Sequence, residues 1–151
     1  MNRDWTVDTC VLYEMVNKNY NAFYFLDGII QNMDKVALDQ EQQIEKEYKT
    51  CMDKIRSESK YARDFISYWF TTIVSRCFIK YCGDLDIRHK KALKKLNFHN
   101  KDLPFVAVCK KTKDKNLVSK DSGYNNEVKK YLLEKMEVHV LSIQDSLNFY
   151  K

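Results

Sequence analysis

The chain has 151 residues, and its 26 Lys and Arg against 21 Asp and Glu give a formal charge of +5 at neutral pH. Apolar and aromatic residues make up 44%, with only three Gly and one Pro, which excludes a collagen-like chain and argues against disorder. This length predicts a single domain over residues 1–151, with a core large enough to fold without disulfides.

The N-terminus and the cysteines predict a cytoplasmic protein. Residues 1–5 carry an acid where a secretory signal needs apolar residues. The longest uncharged apolar run, residues 65–75, is too short to cross a membrane, which takes about 18 residues. The five cysteines are odd in number and scattered through apolar segments, as is typical of a reducing compartment. We therefore expect neither export nor contact with a membrane.

Apolar periodicity predicts strands that alternate with helices. The predicted strands are 5–8, 36–38, 116–119 and 138–141. The predicted helices are 10–16, 20–30, 42–56, 61–81, 86–96, 103–109 and 125–134, with a short one at the end. This alternation predicts an α/β protein, a three-layer α/β/α sandwich with a mainly parallel central sheet.

Acidic residues follow three of the predicted strands. Asp8 ends the first, Asp39 follows the second, and Asp121 comes two residues after the third. The carboxyl ends of parallel strands share one edge of a sheet, and Asp102 can join that edge from the first turn of its predicted helix. Carboxylates gathered in this way typically bind hard cations such as Mg²⁺ or Mn²⁺, which indicates phosphate chemistry.

The same acids have a purely structural alternative. An Asp at the start of a helix commonly accepts hydrogen bonds from first-turn amides. Asp8, Asp102 and Asp121 are each suited to that role. The pattern alone therefore leaves a metal site and three helix caps as alternatives.

Three segments resemble motifs of the PIN-domain family. Residues 7–12 (VDTCVL) resemble its opening Asp-Thr-Asn/Ser-Val-Leu turn, and residues 102–108 resemble its third motif, an Asp that heads a helix of small residues. Residues 117–121 resemble its fourth motif, a strand leading into Thr/Ser-x-Asp. The order and spacing agree over nearly the whole chain. The resemblance implies a PIN-like Mg²⁺- or Mn²⁺-dependent ribonuclease with an acidic pocket.

Carried over residue by residue, the resemblance implies that Asp8, Asp102 and Asp121 bind the metal. The opening motif also places Thr9 beside Asp8 in a supporting role, and Ser119 can hydrogen-bond the carboxylates, although serines in a turn more often bond the local backbone. The three acids are catalytic positions of the family, which hold the metal rather than attack the substrate.

The second motif, a Glu before an aromatic residue, selects Glu47 as the fourth catalytic and metal-binding acid. Helical geometry leaves Glu45 as an alternative, because Glu45 and Glu47 lie at similar angles on opposite flanks of the apolar face. Asp39 is a more distant alternative.

The sequence departs from the family pattern at two positions. Cys10 stands where the family has Asn or Ser, and this weakens the expected support around Asp8. Gly123 stands two residues after Asp121, where many members carry another acid. The second departure leaves a one-metal site and a two-metal site as alternatives.

Basic residues are concentrated in residues 88–120, which hold eleven Lys or Arg against two Asp. Such a stretch beside acidic positions is suited to binding the phosphates of a nucleic acid, and a solvated helix face is the alternative. The predicted nucleic-acid contacts are Arg88, Lys90, Lys91, Lys94, Lys95 and Lys120.

The sequence therefore predicts a metal-dependent endoribonuclease that acts on RNA through an activated water. The family resemblance implies products with a 5′-phosphate and a 3′-hydroxyl. Such an enzyme acts in RNA processing, in phage defence or as the toxin of a toxin–antitoxin pair, in which case an antitoxin is its protein partner. The main alternative is a catalytically inactive PIN-like module that binds RNA or a protein.

Two further alternatives carry less weight. A phosphatase or receiver domain with Asp8 as phosphate acceptor lacks the second acid it requires, because Cys10 stands two residues on. A homodimer through the aromatic residues 65–78 competes with packing of those residues in the core.

Overall fold

A computed structural model of the chain describes residues 2–55 and 59–151. The strands are β1 (Asp4–Val7), β2 (Lys35–Asp39), β3 (Phe78–Tyr81), β4 (Asn116–Val118) and β5 (His139–Leu141). The helices are α1 (Thr9–Val16), α2 (Tyr20–Gln31), α3 (Gln43–Lys54), α4 (Lys60–Arg76), α5 (Ile87–Lys95), α6 (Leu103–Lys111), α7 (Asn126–Met136) and α8 (Ile143–Leu147). Short 3₁₀ turns precede α6 (Asn100–Asp102) and follow α8 (Asn148–Tyr150).

The five strands form one sheet in the order β3-β2-β1-β4-β5, and every pairing is parallel. From β1 the chain moves outward through β2 to β3, then crosses to β4 on the other side of β1 and ends at β5. Right-handed crossovers in opposite directions put their helices on opposite faces of a sheet. The prediction of a three-layer α/β/α sandwich is confirmed.

The core lies between the sheet and its helices. The largest fully buried side chains include Trp5 on β1, Tyr48 on α3, Trp69 on α4 and Phe105 on α6. Trp69 also donates a hydrogen bond to the carbonyl of Leu26 at 3.0 Å, which ties α4 to α2. In the described parts of the chain, no helix has the length and apolar character needed to span a membrane.

The prediction of one helix over residues 61–81 was wrong, because the segment divides at Cys77. The helix α4 ends at Arg76, and Phe78–Tyr81 forms β3, which pairs with β2 at the edge of the sheet. An edge strand is covered on fewer sides, and β3 is exposed or half-buried throughout. It therefore lacks the continuous apolar pattern of an inner parallel strand.

The other predicted elements exist, with boundaries that differ by a few residues. The helix predicted over 42–56 corresponds to α3, and the last residue of that prediction lies outside the described residues. Within the aromatic segment 65–78, Trp69 is fully buried and Phe70 nearly so, whereas Tyr68 is exposed. Trp69 and Phe70 therefore pack in the core.

Candidate carboxylate cleft

The sheet topology creates a crevice between β1 and β4. These strands are neighbours, yet the chain leaves them in opposite directions, toward β2 and toward β5. Ligands of open parallel sheets bind at such a point, outside the carboxyl ends of the strands. Asp8 follows β1 directly and Asp121 lies three residues after β4, so both acids stand at this crevice.

A cleft of about 540 Å³ opens at this edge, and all four predicted acids line it. We call it the carboxylate cleft. Its lining residues come from the start of α1, one side of α3, the turn before α6 and the loop after β4. They are Asp8, Thr9, Cys10, Tyr13, Gln43, Lys46, Glu47, Thr50, Lys54, Lys101, Asp102 and Asp121.

Asp8 is buried at the base of this crevice and held by its neighbours. The hydroxyl of Ser119 donates a hydrogen bond to its Oδ2 at 2.6 Å, and the thiol of Cys10 donates to the same oxygen at 3.5 Å. The hydroxyl of Ser119 in turn accepts a bond from the amide of Asp121 at 3.0 Å. One serine thus connects the acid after β1 to the segment that carries the acid after β4.

Helix capping does not account for Asp8 or Asp102. Each residue stands at the N-terminal boundary of a helix, α1 or α6, but neither side chain forms a capping hydrogen bond. Asp121 is different, since its Oδ1 accepts a bond from the amide of Gly123 at 2.8 Å. Asp121 therefore stabilises its own turn as well as facing the cleft.

Three acids near α3 have separate environments. Asp39 is fully buried and accepts bonds from the amides of Gln43 and Ile44 at 2.9 and 2.8 Å, so it caps the start of α3. Glu45 forms an ion pair with Lys80 on β3 at 3.3 Å. Of the three, only Glu47 lines the carboxylate cleft.

The acids of the cleft raise one another's pKa. Burial, followed by the charges of Asp102 and Asp8, raises the pKa of Glu47 to about 7. Burial and then the charges of Asp8 and Asp121 raise the pKa of Asp102 to about 6. Burial also raises the pKa of Asp8, against the opposing hydrogen bonds from Ser119 and Cys10. Lys101 partly lowers the pKa values of Glu47 and Asp102, so the cleft concentrates negative charge that its own structure offsets incompletely.

Cys10 is not suited to act as a nucleophile. Burial and then the charge of Asp8 raise the pKa of its thiol to about 12, so the thiol is protonated at neutral pH. Its sulfur accepts a hydrogen bond from the amide of Lys120 at 3.2 Å. Cys10 therefore supports Asp8 and the loop after β4.

The donor chemistry of the cleft fits a hard cation, because carboxylate oxygens are the ligands that Mg²⁺ and Mn²⁺ prefer. The hydroxyl of Thr9 is also buried there and forms no hydrogen bond of good geometry with a described residue, although it lies close enough to Glu47 to favour its charged form slightly. Among residues 2–55 and 59–151, however, no group of three or more His, Cys, Asp or Glu could hold a metal ion as the side chains stand. The carboxylates therefore border the cleft without converging on one point.

The basic residues predicted to bind nucleic acid lie outside the cleft lining. Five of them belong to α5, where Lys90 pairs with Asp84 at 2.5 Å. Lys120 is next to Asp121 but pairs with Glu14 at 3.0 Å. The five on α5 are Arg88, Lys90, Lys91, Lys94 and Lys95.

Three other lysines line the cleft instead: Lys46, Lys54 and Lys101. The two on α3 and Tyr13 on α1 were not among the residues predicted from the sequence. For Lys54 the signal available was spacing, because residues three, four and seven positions from Glu47 share its side of a helix. That signal becomes usable only when Glu47 is known to face the cleft.

Comparison with known proteins supports the fold. Searches against protein-family models and against curated protein sequences found no match. Among solved structures, the chain is similar to one chain of the crystal structure of VapBC2 from Rickettsia felis bound to a DNA fragment from their promoter, with a TM-score of 0.53 and 12% identity. The similarity covers 92% of this chain and 98% of the other. It shows that the two chains share a fold over nearly their full lengths.

Proposed function

We propose that this protein is a metal-dependent endoribonuclease of the PIN type. The observation that carries the proposal is the gathering of Asp8, Glu47, Asp102 and Asp121 around one cleft at the switch point of a parallel sheet. These acids come from four separate stretches of the sequence, and two of them stand at helix starts without capping the helix. Buried carboxylates with raised pKa values are typical of functional sites.

The four acids would hold Mg²⁺ or Mn²⁺. Glu47 and Asp121 are partly exposed, so rotation of their side chains can bring their carboxylates toward the buried Asp8 and Asp102. When bound, the metal supplies an activated water and stabilises charge on the phosphodiester. The bond from Ser119 keeps Asp8 oriented and favours its ionised form, which is the form that binds a cation.

The lysines of the cleft would position the substrate. Four carboxylates and three ammonium groups line the cleft, so a bound cation increases its attraction for a phosphate. Lys46, Lys54 and Lys101 then contact the RNA backbone near the reacting phosphate. This division of roles requires no nucleophilic side chain, in agreement with the protonated thiol of Cys10.

A toxin–antitoxin pair is one biological setting for this activity. The structural neighbour was solved as a VapBC2 complex bound to DNA from their promoter. A small antitoxin that covers the carboxylate cleft or a nearby surface is therefore the proposed protein partner. RNA processing and phage defence are alternative settings for the same chemistry.

The test is cleavage of a mixed-sequence single-stranded RNA in Mn²⁺, Mg²⁺ and EDTA. We expect cleavage in the two metals, none in EDTA, and products with a 5′-phosphate and a 3′-hydroxyl. The Asp8→Asn/Asp102→Asn variant should lose the activity, whereas an Asp27→Asn/Asp145→Asn control, which alters two acids outside the cleft lining, should retain it. Cleavage in EDTA, or a cyclic phosphate product, would refute the mechanism.

A catalytically inactive RNA-binding module is the second candidate. The observation in its favour is the turn at Asp121, where Oδ1 accepts the amide of Gly123 and no further acid follows at that position. RNA binding that persists in EDTA, combined with no turnover of folded protein in Mn²⁺, would support this function over the nuclease.

A further inference from the structure

One side of α3 forms a polar stripe that continues away from the acids. The stripe consists of Gln43, Lys46, Glu47, Thr50 and Lys54, and all five residues line the carboxylate cleft. Their spacing places them on one face of the helix. Because α3 rises about 1.5 Å per residue, Lys46 and Lys54 lie about 12 Å apart along its axis. They are far enough apart to contact different phosphates of one nucleic-acid strand.

These lysines are available to a ligand. Both side chains are exposed, and within the described chain neither forms an ion pair. By contrast, Lys80, Lys90 and Lys120 each pair with an acidic side chain. Among the described residues, Lys46 and Lys54 therefore have no acidic partner, and both lie on the wall of the cleft.

Tyr13 provides an aromatic surface opposite this stripe. It lies on α1, lines the same cleft and is partly buried against the core. An aromatic ring beside exposed lysines is the combination that binds single-stranded nucleic acids, because the bases stack while the phosphates pair with the cations.

We propose that the groove between α1 and α3, from Lys46 to Lys54, binds the single strand of RNA next to the phosphodiester to be cleaved. Tyr13 stacks on an unpaired base, and Lys46 and Lys54 contact successive parts of the backbone. This inference rests on the proposed function in taking RNA as the ligand. It adds a subsite beside the acids in which Tyr13 takes an unpaired base, because a base held in a duplex is not free to stack on Tyr13.

The test is a binding measurement that involves no cleavage. The full chain carrying Asp8→Asn/Asp102→Asn serves as the parent, with fluorescein-labelled mixed-sequence single-stranded RNA followed by anisotropy. We expect Tyr13→Leu to weaken binding about fivefold or more and Tyr13→Phe to preserve it. Lys46→Gln and Lys54→Gln should each lower the slope of log affinity against log salt by about 0.7. A duplex RNA of the same length should compete poorly.

Lys49→Gln is the matched control, because Lys49 is exposed on α3 but does not line the cleft. Equal effects of Lys49→Gln and Lys54→Gln, or unchanged affinity in all variants with native circular dichroism, would overturn the inference. If Tyr13→Leu fails to fold, Tyr13→Phe and the lysine variants decide the outcome. If the wild type cleaves RNA but the variants bind it normally, the groove proposal fails and the nuclease proposal stands. If the variants lose binding as expected but the wild type does not cleave RNA, the groove proposal stands and the nuclease proposal fails.

Discussion

The hydroxyl of Tyr48 on α3 donates a hydrogen bond to the carbonyl of Val7, the last residue of β1, at 2.5 Å. Both residues are fully buried. Val7 precedes Asp8 and Tyr48 follows Glu47, so this single bond joins the strand and the helix that carry two acids of the cleft. The distance between those acids depends on it.

We predict that Tyr48→Phe destabilises the protein by about 1–3 kcal/mol. The substitution keeps the shape of the ring but leaves the buried carbonyl of Val7 without this donor. Urea unfolding followed by circular dichroism measures the change. Tyr61→Phe is the control, because Tyr61 is 68% exposed and its substitution should change the free energy of unfolding by less than about 0.5 kcal/mol. Equal stability of the two variants would contradict the prediction.

We predict that Ser119→Ala weakens Mn²⁺ binding by about 10- to 100-fold. The variant loses the 2.6 Å bond to Asp8 and the acceptor of the Asp121 amide, and without the first bond the pKa of Asp8 rises further. Isothermal titration calorimetry with MnCl₂ measures the affinity. Ser122→Ala, an exposed serine in the same turn, should bind Mn²⁺ like the wild type. A similar loss in both variants would indicate a general effect on the turn.

The sequence predicted the positions of three acids of the cleft, because a local pattern marks each of them. Asp8 and Asp121 could be located because each follows a short apolar strand of a parallel sheet, and Asp102 because Pro104 marks a helix start just after it. These signals are short in range, so one chain suffices to detect them. The fold class follows from the same alternation of elements.

The sequence did not predict which other side chains line the cleft, because tertiary packing determines this. Lys54 and Tyr13 line the cleft because α3 packs against α1 with one particular side, and the bond from Tyr48 to Val7 helps to fix that side. Periodicity gives the faces of a helix but not the neighbour of each face. The density of basic residues predicted a nucleic-acid contact on α5, but its lysines lie outside the cleft lining. The edge strand β3 was missed because its four residues continue the apolar pattern of the long helix before it.

We predict that the metal-free protein loses stability as the pH rises from about 4.5 to 7. The pKa values of Asp102 and Glu47 are raised from 3.8 and 4.5 to about 6 and about 7, so the folded state binds more protons than the unfolded state in this range. Thermal unfolding in EDTA at pH 5 and pH 8 measures the change. Glu47→Gln should reduce the difference between the two pH values, whereas Glu127→Gln, at an exposed position on α7, should not.

Mg²⁺ should oppose this dependence. Protonated carboxylates bind cations poorly, so Mg²⁺ should stabilise the protein more at pH 8 than at pH 5. At a concentration a hundredfold above its Kd, the stabilisation should be about 2.7 kcal/mol. Equal stabilisation at both pH values, or equal stabilisation of the Asp8→Asn/Asp102→Asn variant, would mean that the ion binds elsewhere.

Finally, we predict that Gly123→Asp strengthens Mn²⁺ binding roughly tenfold, because an additional carboxylate raises the charge of the ligand set. A Cβ at Gly123 would lie 3.3 Å from Oδ1 of Asp121, so that carboxylate must move by a few tenths of an ångström. The amide of residue 123, which now binds Asp121, is retained in the variant. Gly123→Ala is the control, since it introduces the same steric contact without the charge. Calorimetry should rank the Asp variant above the wild type and the Ala variant at or below it; equal affinities for the two variants would show that residue 123 does not face the metal.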